Sequence, residues 1–472
     1  MKYNAVNTDI LAKLEDILGS RNVLTDKEKI EAYAHDEIPA EKYGHMPEVV
    51  VFPTTTEQIS EIMKLANQEL IPVTPRGAGS GLSGGAIPEY GGIVLSVEKM
   101  NKVIEIDYDN MMMVLEPGVV TNSVNEEIGE KGLFFAGYPM SVETCYIGGN
   151  IAENAGGGKA VKYGVTGRYV MGLEIVTATG EIVELGGKRV KDVTGYDLKQ
   201  LIIGSEGTLG IITKAIIKLL PMPTEKVDLL VLFKDVKSAI DMVPKIMTEA
   251  RIVPTGIEFM DKLSTKTSCE YLNEHLPYQE AGAMLLIEVD GNKAEQVEED
   301  AERIGELCLD SGAIEVYVAD NYTTQERVWS VRRNIAEAFK VVSPEQSLED
   351  IVVPIASIPD LMPELQKIAD KYDIQIPSYG HAGDGNLHST LVKNPKHSME
   401  EWYQIEEKAC EEIYQAVKEL GGTISGEHGI GSKRKPYMKM IADPAELNLM
   451  RSIKKAFDPN YVLNPGKIFD ME

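Results

Sequence analysis

The chain has 472 residues, of which 43% are hydrophobic and 26% charged, and its 74 acids against 47 bases give a formal charge of −27. The apolar fraction excludes general disorder, and the length exceeds what one core usually serves, so two or three domains are expected. The charge argues against nucleic acid or an anionic membrane surface as the main partner, but it leaves small substrates open.

Residues Met1 to Leu14 contain no apolar segment of the secretory kind. No stretch approaches about 18 uninterrupted apolar residues, so no transmembrane helix is predicted. Ile10, Leu11, Leu14 and Leu18 share one helical face, stopped by Gly19. Thr25 with Glu28 reads as a capping box before a second helix. Val49 to Phe52 reads as a buried strand closed by Pro53. Thr55 with Gln58 caps the next helix, whose apolar face is Ile59, Ile62, Met63, Ala66 and Leu70. Short strands are expected at Ile71 to Thr74, Gly92 to Val97, Val103 to Ile106 and Met112 to Leu115.

Glycine is dense from Gly148 to Gly210, and the composition shifts after Pro221 and Pro223. Val227 to Phe233 then opens a strand-and-helix pattern. Residues 288–310 carry nine acids against two bases, which fits solvated helix faces. Trp402, Ile405, Ala409, Ile413, Ala416, Val417 and Leu420 mark one face of a long amphipathic helix. The four cysteines, Cys145, Cys269, Cys308 and Cys410, are widely scattered. No C-x-x-C occurs, which disfavours a disulfide scaffold, an iron–sulfur cluster and a c-type haem. A soluble protein of a reducing compartment, the cytoplasm, is expected.

The first glycine cluster is Pro75-Arg76-Gly77-Ala78-Gly79-Ser80-Gly81-Leu82-Ser83-Gly84-Gly85. Gly79, Gly81 and Gly84 match the dinucleotide fingerprint letter for letter. That fingerprint needs a helix directly after it, and Pro88 stands where the helix would begin. A nest of backbone N–H groups around an anion fits better. Taken alone, the cluster reads more simply as a mobile glycine loop. A second cluster follows at Ile147-Gly148-Gly149-Asn150-Ile151-Ala152-Glu153-Asn154-Ala155-Gly156-Gly157-Gly158. Then come Tyr163-Gly164 and Gly204-Ser205-Glu206-Gly207-Thr208-Leu209-Gly210-Ile211. Three clusters in one domain suggest backbone lying close against one large polyphosphorylated ligand.

These motifs, in this order, resemble the FAD-binding part of the vanillyl-alcohol oxidase and p-cresol methylhydroxylase flavoproteins. Within them the chain is most similar to the FAD subunits of glycolate oxidase and D-lactate dehydrogenase. The resemblance implies an α+β fold: a two-part FAD-binding domain with an inserted α+β substrate cap. It places the FAD domain at 1–221, the cap at 222–415 and a returning segment at 416–472. The first loop would hold the pyrophosphate and the second would run beside the flavin ring. Pro139, Ile212 and Asn464 join the implied cofactor contacts. No His lies between His45 and His275, so a histidyl flavin linkage near the first loop is absent. Cys145 reads as an inert buried thiol, and FAD is expected to be non-covalent.

Two histidine motifs stand near the C-terminus. They are Gly380-His381-Ala382-Gly383-Asp384-Gly385-Asn386-Leu387-His388 and Ser425-Gly426-Glu427-His428-Gly429-Ile430-Gly431. Imidazoles with a carboxylate suit a borderline divalent ion. The spacing is not that of a zinc finger, so it fixes no geometry. The resemblance implies His381, His388 and Glu427 as ligands, with Zn²⁺ favoured over Mn²⁺ or Fe²⁺, and His428 as the base. It aligns Trp329-Ser330-Val331-Arg332-Arg333 with a segment whose first arginine grips a substrate carboxylate. Arg333 is the competitor. Asn386 joins Arg332 as a substrate residue. Ala336 stands where relatives with longer dicarboxylates carry a polar residue, which favours a small substrate. Lys433, Arg434 and Lys435 add positive charge near the second motif.

The implied reaction is FAD-dependent, metal-assisted oxidation of a small D-2-hydroxy acid, D-lactate favoured, with glycolate or D-2-hydroxyglutarate as alternatives. The electrons would pass to a protein partner, an electron-transferring flavoprotein or an iron–sulfur subunit. Two other classes stand beside it. A metal-dependent hydrolase would leave the glycine clusters unexplained. A non-catalytic flavin subunit would merely inherit the histidines.

Overall fold

The structure, a computed structural model, describes residues 3–471. The chain divides into two compact units. The first runs to Gly156, resumes at Val165–Met222 and returns from Glu427 onward. The second holds Gly157–Gly164 and Pro223–Gly426.

In the first unit, a four-stranded sheet has the order Val23–Leu24, Val49–Val51, Ile93–Ser96, Val73–Arg76. The last three strands run parallel. Parallel strands are covered on both faces, which explains why Val49–Val51 and Ile93–Ser96 are buried throughout. Helix Thr56–Glu69 buries Ile59, Ile62, Met63 and Ala66 against the core that also takes Ile10, Leu14 and Leu18 of helix Thr8–Leu18. Thr55 caps the former as expected, accepting from the Gln58 N–H at 3.3 Å. Leu70, expected on its apolar face, is instead its exposed left-handed cap, with φ 52°. Ile71 still donates its N–H back to Ala66, so the following strand starts at Val73 rather than Ile71. Asp26, not Thr25, caps the short helix Lys27–Ile30, because its carboxylate reaches the N–H groups of Glu28 and Lys29.

A five-stranded antiparallel sheet completes this unit, in the order Val103–Asp107, Met112–Leu115, Ile211–Lys218, Val170–Val176, Ile182–Gly186. The third glycine cluster therefore feeds straight into the central strand. The C-terminal segment is bound back into the first sheet. Val73 donates to Val462 O and accepts from Asn464 N, both at 2.7 Å. Asp458 sets this turn by accepting from Val462 N at 3.1 Å and Leu463 N at 2.8 Å. Lys454 Nζ, itself buried, meets Asp458 Oδ2, Thr208 O and Leu463 O at 2.7–2.8 Å.

The second unit is built on one seven-stranded sheet. Its order is Glu315–Ala319, Glu225–Phe233, Ala283–Gly291, Gly256–Asp261, Ser378–His381, Asn386–Val392, Gln346–Val352, and all its pairings are antiparallel. Leu230, Leu232, Met260, Met284 and Leu286 pack under helices Lys262–Leu272, Tyr322–Arg333 and Ile335–Val342. The compact units divide at Met222/Pro223, and no division falls at 415/416. That position lies inside helix Met399–Glu419, which packs along Gln346–Val352 and Ile358–Tyr372 and so stays with the second unit through Gly426. The segment Gly157–Gly164, expected with the FAD domain, also belongs to the second unit.

Removing Lys454 leaves a fully buried carboxylate without its counter-charge. Lys454→Ala is expected to cost about 3–5 kcal/mol, read by urea unfolding, and to expose the segment after Asp458 to limited proteolysis.

Candidate active site

The glycine clusters of the first unit converge. A Cβ placed on Gly77 would stand 3.7 Å from Gly149 Cα, so the first two clusters meet backbone to backbone. A Cβ on Gly207 would press on Pro75 at 2.9 Å, which joins the third cluster to the first. The Asn464 side-chain amide donates to Gly85 O at 3.0 Å and Glu206 O at 2.7 Å. Its Oδ1 is buried and makes no hydrogen bond among the described residues. A Cβ on Gly149 would meet nothing within 4 Å, which leaves an open ledge beside bare backbone. This ledge fits a flat, phosphate-bearing cofactor such as FAD.

The residues from Gly77 to Ile87 form no helix, as the nest reading requires. The second cluster is not a loop; it opens the short helix Ile147–Glu153. Three residues nominated for the cofactor have side chains that brace the cradle. Arg76 donates to His35 O at 2.7 Å and Ala32 O at 3.3 Å. Asn150 donates to Thr121 Oγ1 at 2.7 Å, and Asn154 accepts from Gly167 N at 2.9 Å. What these positions can offer a ligand is chiefly backbone. Ile212 is buried in the central strand, and Pro139 lies in the irregular stretch after Leu133–Phe134. Cys145 is a buried free thiol that donates to Thr121 Oγ1 at 3.3 Å.

Sequence reasoning took Glu206 as a cofactor residue of the third cluster and passed over Glu153 in the second. Glu206 accepts from Ile430 N at 2.8 Å and Gly431 N at 2.6 Å, which fixes the loop after His428. Glu153 is half-buried beside it. Burial, and then the charge of Glu206, push the Glu153 carboxyl well above its ordinary value. Gly429 has φ 82°, and a Cβ there would collide with the Glu153 carboxylate. The available signal was an acid embedded in each of two glycine-rich runs. His428 and Glu427 both belong to this unit, with His428 Nε2 3.9 Å from Glu427 Oε1.

In the second unit, directly paired residues of the sheet share a face. Asp228 pairs with Glu288, Glu258 with His381, His381 with Asn386, and His388 with Asp350. One face thus carries a row of buried polar side chains. His381 and His388 lie edge to face, with ring centroids 5.4 Å apart and planes at 81°. His381 Nδ1 meets Glu258 Oε1 at 2.6 Å, so Nε2 is the nitrogen that would carry a cation. Asp350 accepts from Asn386 Nδ2 and Ser425 Oγ, each at 2.7 Å, and from Gly426 N at 2.9 Å. His388 Nε2 is 3.9 Å from Asp350. The donor types fit a borderline divalent ion.

Arg332 ends helix Tyr322–Arg333 and is 3% exposed, so it is no solvated helix residue. Its Nη2 lies 2.6 Å from Glu258 Oε2, and its guanidinium sits over the Tyr379 ring at 5.0 Å. Its Nε makes no hydrogen bond among the described residues. Arg333 is exposed and paired with Glu326, which removes it as the competitor. Burial pushes the Glu258 carboxyl up, but the charges and hydrogen bonds of His381 and Arg332 outweigh this and hold it below its ordinary value. Gly158 approaches the same pair, since a Cβ there would stand 2.8 Å from Glu258 Oε1 and 3.7 Å from His381 Nδ1. Gly157 and Gly164 bound that short segment, and Tyr163 Oη donates to Asp290 at 2.9 Å. Glu258 and Asp350 were not foreseen, because each lies in an ordinary strand pattern.

The comparisons with known proteins bear on the family and the fold. The chain superposes on p-cresol methylhydroxylase with a TM-score of 0.79 at 20% identity, covering 98% of this chain and 96% of that one. Its fold is therefore that of the vanillyl-alcohol oxidase and p-cresol methylhydroxylase flavoproteins. Residues 47–186 match an FAD binding domain, and residues 222–468 match the C-terminal domain of FAD linked oxidases. The chain is 40% identical over 464 residues to the glycolate oxidase subunit GlcD of Bacillus subtilis, covering 98% of this chain and 97% of that protein. It is 38% identical over 475 residues to the D-lactate dehydrogenase of Anaerostipes hadrus, covering 99% and 98%. The chain belongs to the FAD-linked oxidase family and is an FAD-dependent oxidoreductase. No helix among the described residues is long and apolar enough to cross a membrane.

One buried acid of the polar row titrates where it can be measured. Asp228 is fully buried, and neither of its oxygens accepts a well-formed hydrogen bond. Burial, and then the neighbouring Glu288, push it up to about 7. The folded chain keeps a proton that the unfolded chain releases, so this group's contribution is full at low pH and lost as pH rises toward 7. Asp228→Asn removes that loss. The variant is expected to match the parent near pH 4 and to exceed it by on the order of 2 kcal/mol near pH 8, by urea unfolding at both values.

Proposed function

We propose that this chain oxidises a small D-2-hydroxy acid, D-lactate ahead of glycolate or D-2-hydroxyglutarate, to the 2-oxo acid. The observation that carries the reading is Arg332, a buried guanidinium with an unpaired Nε on the same unit as the paired imidazoles His381 and His388. A planar fork of this kind suits a carboxylate, to which it donates two parallel hydrogen bonds. The names of the relatives, a D-lactate dehydrogenase and a glycolate oxidase subunit, support the same substrate class. Ala336, partly buried and apolar, offers nothing to a second substrate carboxylate and favours the smaller acid.

Bound FAD supplies the hydride acceptor. A divalent ion, Zn²⁺ ahead of Mn²⁺ or Fe²⁺, polarises the substrate hydroxyl when bound. His381, His388 and Glu427 would hold that ion. Arg332 binds the substrate carboxylate, with Asn386 orienting the acid beside it. His428 takes the hydroxyl proton on an imidazole nitrogen. The backbone of the glycine clusters, with Asn464 and Glu206 tying them together, holds FAD without a covalent link. The electrons then leave to a protein acceptor, an electron-transferring flavoprotein or an iron–sulfur subunit. Four buried free thiols suit a reducing, cytoplasmic setting.

Purified holoenzyme, mixed anaerobically with D-lactate, glycolate or D-2-hydroxyglutarate, is expected to lose its flavin band near about 450 nm, fastest with D-lactate. Bleaching by none of the three would refute the reading. Stopped-flow traces of His428→Ala should slow flavin reduction by about 10²–10⁴-fold. Arg332→Lys keeps the charge but loses the fork, and should raise the KM for D-lactate by about 10-fold or more.

A further inference from the structure

We propose that Glu258 is a positioning residue that sets Arg332 and His381 with a single carboxylate. The inference rests on the functional reading above and extends it to a residue to which that reading gives no role.

The backbone fixes the first half of the arrangement. Glu258 and His381 are direct partners on adjacent strands, so their side chains leave the same face side by side. Oε1 then reaches His381 Nδ1 at 2.6 Å. A carboxylate on Nδ1 fixes the tautomer, aims Nε2 and makes it a better ligand. The second half comes from the helix above. Arg332 brings Nη2 to 2.6 Å from Oε2, while Tyr379 supports the guanidinium face at 5.0 Å. The ion pair restrains one corner of the fork and leaves Nε, which has no hydrogen bond of its own, for an incoming carboxylate.

Burial makes the arrangement obligatory. Glu258 is fully buried, and a buried carboxylate persists only with compensating partners. Gly158 is shaped to admit it, since any side chain there would crowd Oε1 at 2.8 Å. Asp228 is an equally buried acid in the same row, but it contacts neither His381 nor Arg332 among the hydrogen bonds and ion pairs of the described residues. It therefore serves as the internal control. One carboxylate with two clients couples their geometries, so disturbing it moves substrate grip and metal affinity together.

The test uses flavin-loaded Glu258→Ala, Glu258→Gln and Asp228→Asn beside the parent. Zn²⁺ affinity is read by competition with a chromogenic chelator, and KM and kcat are read separately with D-lactate. Glu258→Ala is expected to weaken Zn²⁺ binding about 10–100-fold and to raise KM about 10-fold or more. Glu258→Gln keeps an oxygen for His381 but can turn an NH₂ toward Arg332. It should hold Zn²⁺ within about threefold of the parent while KM still rises. Asp228→Asn should move neither. The proposal is overturned if Glu258→Ala keeps both values within about twofold, or if Asp228→Asn shifts them as much. If Glu258→Ala fails to fold, Glu258→Gln decides: a parental KM overturns the proposal. If the parent itself neither binds Zn²⁺ nor is bleached by a 2-hydroxy acid, the functional reading falls first and takes this inference with it.

Discussion

In an antiparallel sheet, residues directly opposite each other share a face, and much of this protein's chemistry depends on that rule. Three pairings, Glu258 with His381, His381 with Asn386 and His388 with Asp350, commit five polar side chains to one surface. A one-residue slip of any strand would turn its share of them into the apolar layer behind. Leu230, Leu232, Met284 and Leu286 guard the register, since they occupy the same face under the helices and must stay covered. Packing at one end of the sheet thus holds the chemistry at the other.

Buried charge is the second constraint. Glu258 keeps its charge because an imidazole and a guanidinium outweigh its desolvation, whereas Asp228, with no such partners, is driven toward the neutral acid. The first unit repeats the contrast. Burial pushes both acids up there, but two backbone N–H groups pull Glu206 back in part, while Glu153 is raised further by that neighbour. In each pair, the acid that positions a functional loop or ligand is the one given donors. The unpartnered acid adds no contact that the mechanism uses.

The glycine clusters were legible because glycine reports backbone conformation directly: a nest without a following helix has a sequence signature in Pro88. Helix Thr56–Glu69 and strand Val49–Val51 were legible by their apolar spacing. What the sequence left dark was long-range. Glu258 and Asp350 look like ordinary strand residues, and only the pairing of strands far apart in the chain brings them beside the histidines. The second domain boundary was misplaced for a related reason. An amphipathic helix shows which face is buried but not against what, and Met399–Glu419 buries its face against the second unit. Arg76, Asn150 and Asn154 were read as cofactor residues, and motif matching does not show that their side chains also hold the loops.

The net charge of −27 takes on a different meaning once these partners are known. A cluster of basic residues near the histidine motifs would make a local attractive field for a carboxylate. The structure disperses that cluster. Arg333 turns outward to Glu326, Lys435 faces Asp470 at 3.5 Å, and Arg434 donates to Gly429 O at 3.2 Å. Helices Ala294–Asp310 and Met399–Glu419 add acidic exteriors. Long-range attraction is then a poor account of how an anionic substrate would be held. Short-range geometry is the better one: a desolvated guanidinium, restrained by one carboxylate and supported by one aromatic ring, retains an Nε–H edge whose geometry suits another planar anion.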